Sequence, residues 1–408
     1  MGLLIVKLPQ LRAYFFRRRA LAAQTRHSMT AALCSLVLVL SGCATGIDLK
    51  RNLLERPTDW IMYGGQPARS NQSRSVLVPP LKPVWDYDAV SGIAGTPLVK
   101  DSVIVVGTLK GELHVIRLAD GQSYGFATME SAVMGTPVVY GNYVYVPGAQ
   151  GKETLTCLFL KDGKREWGSR LGPIETSPLM IGEFLYVTTL DGTLIAVKRA
   201  DGGEFWKYET NAEKEQRKPI HSSPASDGEI IVFGSDDGAV YGVERISGRL
   251  RWKYQTGASV FATPVLHEET CIVGSLDSSL YAIDTRTGHL RWKFRTGSRI
   301  YSTASVSQGR AYVGGTDGKI MAVNLDSGRP DWVFDTRSVV TSAPLVSGDL
   351  LYIGSLDRSL YALRSATGEK IWEYSAEGRI RVSPVIWGDM LLLTYEDRNI
   401  TALRPEKK

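Results

Sequence analysis

From about residue 80 onward the chain alternates short apolar runs of four to six residues, rich in Val, Ile, Leu and Tyr, with polar Gly-Asp, Asp-x-Ser, Asp-Gly and Thr-Gly punctuation. The stretch 342–374, SAPLVSGDLLYIGSLDRSLYALRSATGEKIWEY, is representative. Period-two apolar runs separated by tight-turn residues predict antiparallel strands, and no 3.6-residue apolar period competes with that reading. Four strands fit in each unit of about forty residues.

The unit repeats. A Gly-x-x-x-Trp column places Trp167, Trp206, Trp252, Trp292, Trp332 and Trp372 at steps of 39, 46, 40, 40 and 40 residues. Trp85 fits the same register, and Gly125 stands in the slot between Trp85 and Trp167. A second column, Ser/Thr-Pro, recurs at Pro97, Pro137, Pro178, Pro224, Pro264, Pro344 and Pro384, with Ala343 replacing the hydroxyl residue before Pro344 and Ala304 replacing Pro once. Both columns count eight units, and a fixed period of this length in an all-β chain predicts an eight-bladed propeller of four-stranded blades. A third column of small residues, Ala196, Gly242, Ala282, Ala322, Ala362 and Ala402, predicts close packing by a neighbouring sheet. The last unit stops before its Trp strand, while Trp85 precedes the first Pro. Pairing of the two terminal strands therefore closes the ring and removes its exposed edges.

The docking signature, seen as DTRTGHLRW and LDSGRPDW, resembles that of the quinoprotein-like, PQQ-repeat eight-bladed propellers, over roughly residues 80–404. That resemblance implies that Trp85, Trp167, Trp206, Trp252, Trp292, Trp332 and Trp372 sit between adjacent blades as packing residues. The family holds both cofactor enzymes and scaffolds, so it does not by itself assign a function.

The N-terminus adds a location. Residues 1–42 carry Lys7, Arg12, Arg17, Arg18, Arg19 and Arg26 and no acid, then the apolar run MTAALCSLVLVL and Leu-Ser-Gly-Cys at 40–43. A basic stretch, an apolar core too short to span a bilayer and a small residue before the cleavage point describe a secretory signal. Its ending resembles a bacterial lipoprotein box, which implies lipidation of Cys43. Ala44 behind it points to the outer membrane. The expected organisation is a signal at 1–42, a lipidated linker at 43–80, the propeller at 81–404 and a tail at 405–408. Removing the six basic residues of the leader from the 48 Lys and Arg leaves 42 against 42 Asp and Glu, so the basic character belongs to the leader. Nucleic-acid binding loses its support.

Little catalytic chemistry is visible. Cys157 and Cys271 fall on strand positions of non-adjacent units and read as buried apolar side chains. The five histidines are scattered, so no metal site is expected. Quinone-dependent dehydrogenases of this fold carry an adjacent cysteine pair over the cofactor, a Glu/Asn/Asp calcium set and long insertions. This chain has no Cys-Cys and near-minimal units, and it lacks a Gly-rich phosphate loop, Gly-x-Ser-x-Gly and His-Glu-x-x-His. The expectation is a non-enzyme without cofactor. The lipoprotein box, the length of the mature chain, the eight units and the docking motif together resemble the BamB-type outer-membrane assembly lipoproteins. That implies a periplasm-facing scaffold whose partners are the β-barrel insertase and its client polypeptides, with the membrane touched only through the lipid. The alternative is a quinone-dependent dehydrogenase or a quinone- or ligand-binding periplasmic propeller.

Segments leading from one unit to the next should ring one mouth of the channel. Three residues before the Pro column lie Ala94, Met134, Glu175, His221, Phe261, Tyr301, Thr341 and Arg381, and five before it lie Arg299 and Arg379. The one lengthened connection, after Trp206, adds Arg217 and Lys218. A patch of Arg217, Lys218, His221, Phe261, Arg299, Tyr301, Arg379 and Arg381 is the candidate partner surface, because Arg and aromatic side chains anchor such contacts.

Overall fold

A computed structural model describes residues 46–395 and 398–406. The signal at 1–42 and Cys43 lie outside the described residues. Thirty-two strands are described, β1 (Leu81–Asp88) to β32 (Asn399–Pro405), grouped in eight four-stranded antiparallel sheets. Blades 1 to 7 are consecutive meanders, the first spanning 98–128 and the seventh 345–375. Blade 8 is assembled from both ends: β30 (Val385–Trp387), β31 (Met390–Tyr395), β32 and then β1, with Leu81 paired to Pro405 and Trp85 to Ala402. The ring thus closes by pairing of the two terminal strands, and Pro405, assigned to the tail, belongs to the closing strand.

Within each blade the first three strands are almost wholly buried, and the outermost alternates exposed and half-buried positions. Only the outermost strand meets solvent along its length, which is why it alone shows a clear period of two.

The Trp column is explained at both faces of the indole. Trp252 is 6% exposed, its Nε1 donates to the Thr285 carbonyl of the next blade at 2.7 Å, and its ring lies on Gly288, where a Cβ would stand 2.7 Å from the ring. Trp85, Trp167, Trp206, Trp292 and Trp332 donate in the same way to Leu118, Arg199, Arg245, Leu325 and Ser365. The Gly four residues before Trp206, Trp252, Trp292, Trp332 and Trp372 therefore serves the Trp of the preceding blade. It sits at positive φ in the turn, where it also leaves room for the ring.

The small-residue column has a different cause from the one its position suggested. Ala196, Gly242, Ala282, Ala322, Ala362 and Ala402 each pair across strands with their own blade's Trp, and a Cβ on Gly242 would meet Trp252 at 2.2 Å. Smallness clears space for the indole within the blade. Blade 1 inverts the pair, with Val115 facing Gly125.

The slot left by Gly125 is filled by the chain's own N-terminal segment. Gly46 donates to Phe126 and Asp48 to Tyr124 along the outer strand of blade 1, while Leu49 donates to Lys161 of blade 2 at 2.9 Å. Ile47, 5% exposed, lies against Gly163, the docking glycine of blade 2. An aliphatic residue on the N-terminal segment thus replaces the indole.

Inner strands are linked by the Ser/Thr-Pro column. The amides of Thr96, Thr136, Ser177, Ser223 and Ala343 donate to the hydroxyls of Thr136, Ser177, Ser223, Thr263 and Ser383 of the following blade, at 2.8–3.3 Å. The hydroxyl residue is needed as an inter-blade acceptor in the buried centre, where an unpaired amide would be costly.

Candidate partner-binding mouth and its floor

The segment read as a linker is, from residue 46 onward, built into the ring. Residues 59–75 thread the channel and pair with the open edges of the inner strands. The amides of Val99, Val139, Ser226, Leu266, Val306 and Val346 donate to the carbonyls of Trp60, Ile61, Pro67, Ala68, Ser70 and Asn71. Each donor lies two residues after the Pro column (or after Ala304), so one level of the channel is occupied around blades 1, 2, 4, 5, 6 and 7. Blade 8 is reached through Gly388, which donates to Ser75 Oγ at 3.0 Å.

Blade 3 is held by a side chain. Arg69 is fully buried, and its guanidinium donates to the carbonyls of Ser177 and Pro178 of blade 3, Pro224 of blade 4 and Tyr63 of the plug itself. Burial pulls its pKa down to about 9. No carboxylate answers this charge among the ion pairs of the described residues. Carbonyl dipoles take that role, and the planar fork lets one residue reach both blades. Tyr63 OH donates to Thr303 Oγ1 at 2.8 Å, at the level of the Ser/Thr-Pro ring. Mouth residues precede the Pro column and the plug follows it, so the plug forms the floor of the mouth.

Along the rim, three of the candidate residues come together. His221 and Phe261 have ring centroids 4.7 Å apart, and Tyr301 meets Phe261 edge-on at 5.8 Å, giving a continuous aromatic run over the connections entering blades 4, 5 and 6. Lys218 is exposed on the same connection as His221, and Arg299 is exposed two residues before Tyr301. Arg217 is turned inward: it braces the lengthened loop by donating to Asn211 O at 2.7 Å and to Glu209 at 2.5 Å, and only 10% of its side chain is exposed. Arg379 and Arg381 are exposed on the connection entering blade 8. The connection entering blade 7, carrying Thr341, separates them from Arg299 and Tyr301. The expected single patch is therefore two lobes, an aromatic one and an arginine one.

The rim is also more acidic than the basic column suggested. Glu175 and Asp236 flank His221, with Asp236 3.0 Å from Nδ1 and Glu175 3.9 Å from Nε2. The hydrogen bond to Asp236 raises the His221 pKa above its usual value. A raised pKa stabilises the fold below the unfolded value near 6.5, and this stabilisation is lost as pH rises through the folded value. Because a third of the side chain is exposed, the effect should stay below about 1 kcal/mol. NMR titration of His221 should show an apparent pKa above 6.5 that falls back in Asp236→Asn.

At the blade 8–blade 1 junction a groove of about 320 Å³ opens beside Arg381, lined mainly by Ile93, Ala94, Leu109, Val382 and Tyr395. Gly107, Gly234, Gly274, Gly314 and Gly354 of other blades sit where a Cβ would strike the β-branched residue of the next connection (Val133, Val260, Ile300, Val340, Ile380). Blade 8 carries Thr394 at that register position, and Ile93 stays partly exposed.

The residues present do not fit a quinone site of the dehydrogenase type. Cys157 and Cys271 are both buried and free, on blades 2 and 5. Burial pushes the Cys157 thiol up to about 12. Among the described residues no group of three or more His, Cys, Asp or Glu side chains is arranged to hold a metal ion.

Comparison with known proteins agrees with this architecture. A sequence model of the family described as outer membrane protein assembly factor BamB matches residues 81–208, 209–332 and 295–407. Among solved structures, BamB from Moraxella catarrhalis is similar at 17% identity and a TM-score of 0.68, covering 79% of this chain and 99% of its own. Quinohemoprotein alcohol dehydrogenase from Comamonas testosteroni is similar at 13% identity and a TM-score of 0.73, covering 86% and 82%. A computationally designed protein, Ika8, is similar at 14% identity and a TM-score of 0.68, covering 79% and 99%. At such identities these structures share the fold alone. No curated protein matches the sequence.

Proposed function

Because the chain belongs to the outer membrane protein assembly factor BamB family, we propose that it is a non-catalytic protein-binding scaffold in the assembly of outer-membrane β-barrel proteins, anchored through lipidated Cys43 and facing the periplasm. The observation that carries this reading is the mouth. One end of the channel is backed by a plug bonded to the inner strands, and its rim presents the His221–Phe261–Tyr301 run with the cations Lys218, Arg299, Arg379 and Arg381. Such a rim suits a protein partner that offers carboxylates and an extended or loop segment, since aromatic and Arg anchors dominate protein interfaces. Two lobes separated by one blade connection suit a partner that spans several blades.

A dehydrogenase role is disfavoured by the misfit of the thiols and by the absence of a ligand cluster among the described residues. In cells, replacing Phe261 and Tyr301 by Ala should weaken capture of the β-barrel insertase at least about thirtyfold, the scale of a lost pair of anchors at about 2 kcal/mol. Arg379→Glu with Arg381→Glu should lower it further, with the purified protein colourless. Undiminished capture by folded variants contradicts the mouth as the partner surface. A visible quinone chromophore contradicts the non-catalytic reading.

A further inference from the structure

Residues 46–49, seated on the outer wall of blades 1 and 2, constrain how the ring sits at a membrane, given the lipid-anchor reading above. Gly46 is fixed on the outer strand of blade 1 by its bond to Phe126, Ile47 is buried against blade 2, and Leu49 is bonded to Lys161. Three peptide steps separate Gly46 from Cys43, so the lipidated residue lies within about 11 Å of Gly46 whatever path those residues take. The direction is also set. From 46 to 48 the chain runs from Phe126 toward Tyr124, antiparallel to the outer strand, so Gly46 is the end of this segment nearer Thr128, the mouth end of that strand.

We infer that the propeller is held at the lipid surface by one side, the outer wall of blades 1 and 2 turned to the headgroups and the opposite wall, blades 5 and 6, turned away. A linker flexible throughout 43–80 would let the ring tumble freely at the membrane; a leash this short does not. The aromatic lobe then lies on the connections entering blades 4, 5 and 6, largely across the ring from the bilayer and open to a partner arriving from the periplasm. The recognising chemistry is a lipid surface, reached by the anchor and not by a charged patch: cations of the adjacent wall, such as Lys164 and Arg165, are paired with Asp162 and Glu153.

The test uses the full lipidated protein in phosphatidylethanolamine–phosphatidylglycerol vesicles carrying a headgroup nitroxide. A fluorophore is attached to Thr128→Cys, exposed on the blade 1 wall, or to Val333→Cys, 48% exposed on the blade 6 wall. Quenching should be several-fold stronger at position 128 than at 333. Inserting a Gly/Ser linker of about twenty residues between Thr45 and Gly46, which adds a root-mean-square reach of about 25 Å, should remove the difference. Equal quenching at both positions in lipidated protein with the native leash overturns the orientation alone. Absence of a diacylglyceryl group on the N-terminal peptide by mass spectrometry overturns the anchor and the orientation together.

Discussion

Trp252→Ala should destabilise the ring by about 3–5 kcal/mol, the range for removing a buried large aromatic without collapse of the cavity. The indole is 6% exposed, lies on Gly288 of the next blade and donates its N–H to Thr285, so truncation opens a void and leaves a carbonyl without its donor. Gly288→Val attacks the same slot from the other side, since its backbone has positive φ and a Cβ would stand 2.7 Å from the indole. Chemical denaturation of the two single variants and the double variant should show strong non-additivity, because both break one junction. Additive losses would mean that the ring and the glycine do not share a contact.

Arg69→Met should cost about 3 kcal/mol and detach the plug. Four carbonyls lose a charged donor, and methionine restores packing volume but no hydrogen bond. Arg69→Lys should fail nearly as badly, since an ammonium cannot span blades 3 and 4 as the planar fork does. Limited proteolysis gives the readout: wild-type protein should resist cleavage across 59–75, and both variants should be cut there before the blades. A variant whose plug stays protected would show that the backbone bonds to the other blades suffice without Arg69.

The contrast between these two sites shows what was legible in the sequence. The blades were, because each Trp, docking Gly and Ser/Thr-Pro recurs at a fixed period, and repetition separates a structural requirement from chance. Ring closure followed from the missing last strand and the surplus first one. Gly125 was legible as a gap but its filler was not: Ile47 belongs to no repeat and meets Gly163 from 116 residues away in sequence. The plug was hidden for a related reason. It pairs through its backbone with strand edges, a contact that imposes almost no residue pattern. The signals available were Trp60, Ile61, Met62 and Tyr63 in succession, too apolar for a solvated linker, and a lone Arg69 among small residues. Arg217 shows the limit at the mouth, where a basic residue in a long loop looks exposed and instead holds that loop together.

The central claim is that the rim on the mouth side meets the partner while the opposite face of the ring does not. Placing a photo-crosslinking residue at Tyr301 on the rim, and separately at Tyr140 on the opposite ends of the inner strands, tests it in intact cells. The account predicts a crosslink from position 301 to the β-barrel insertase or its clients and none from position 140. Crosslinks from 140 alone, or to the same partner with equal yield from both, would contradict it.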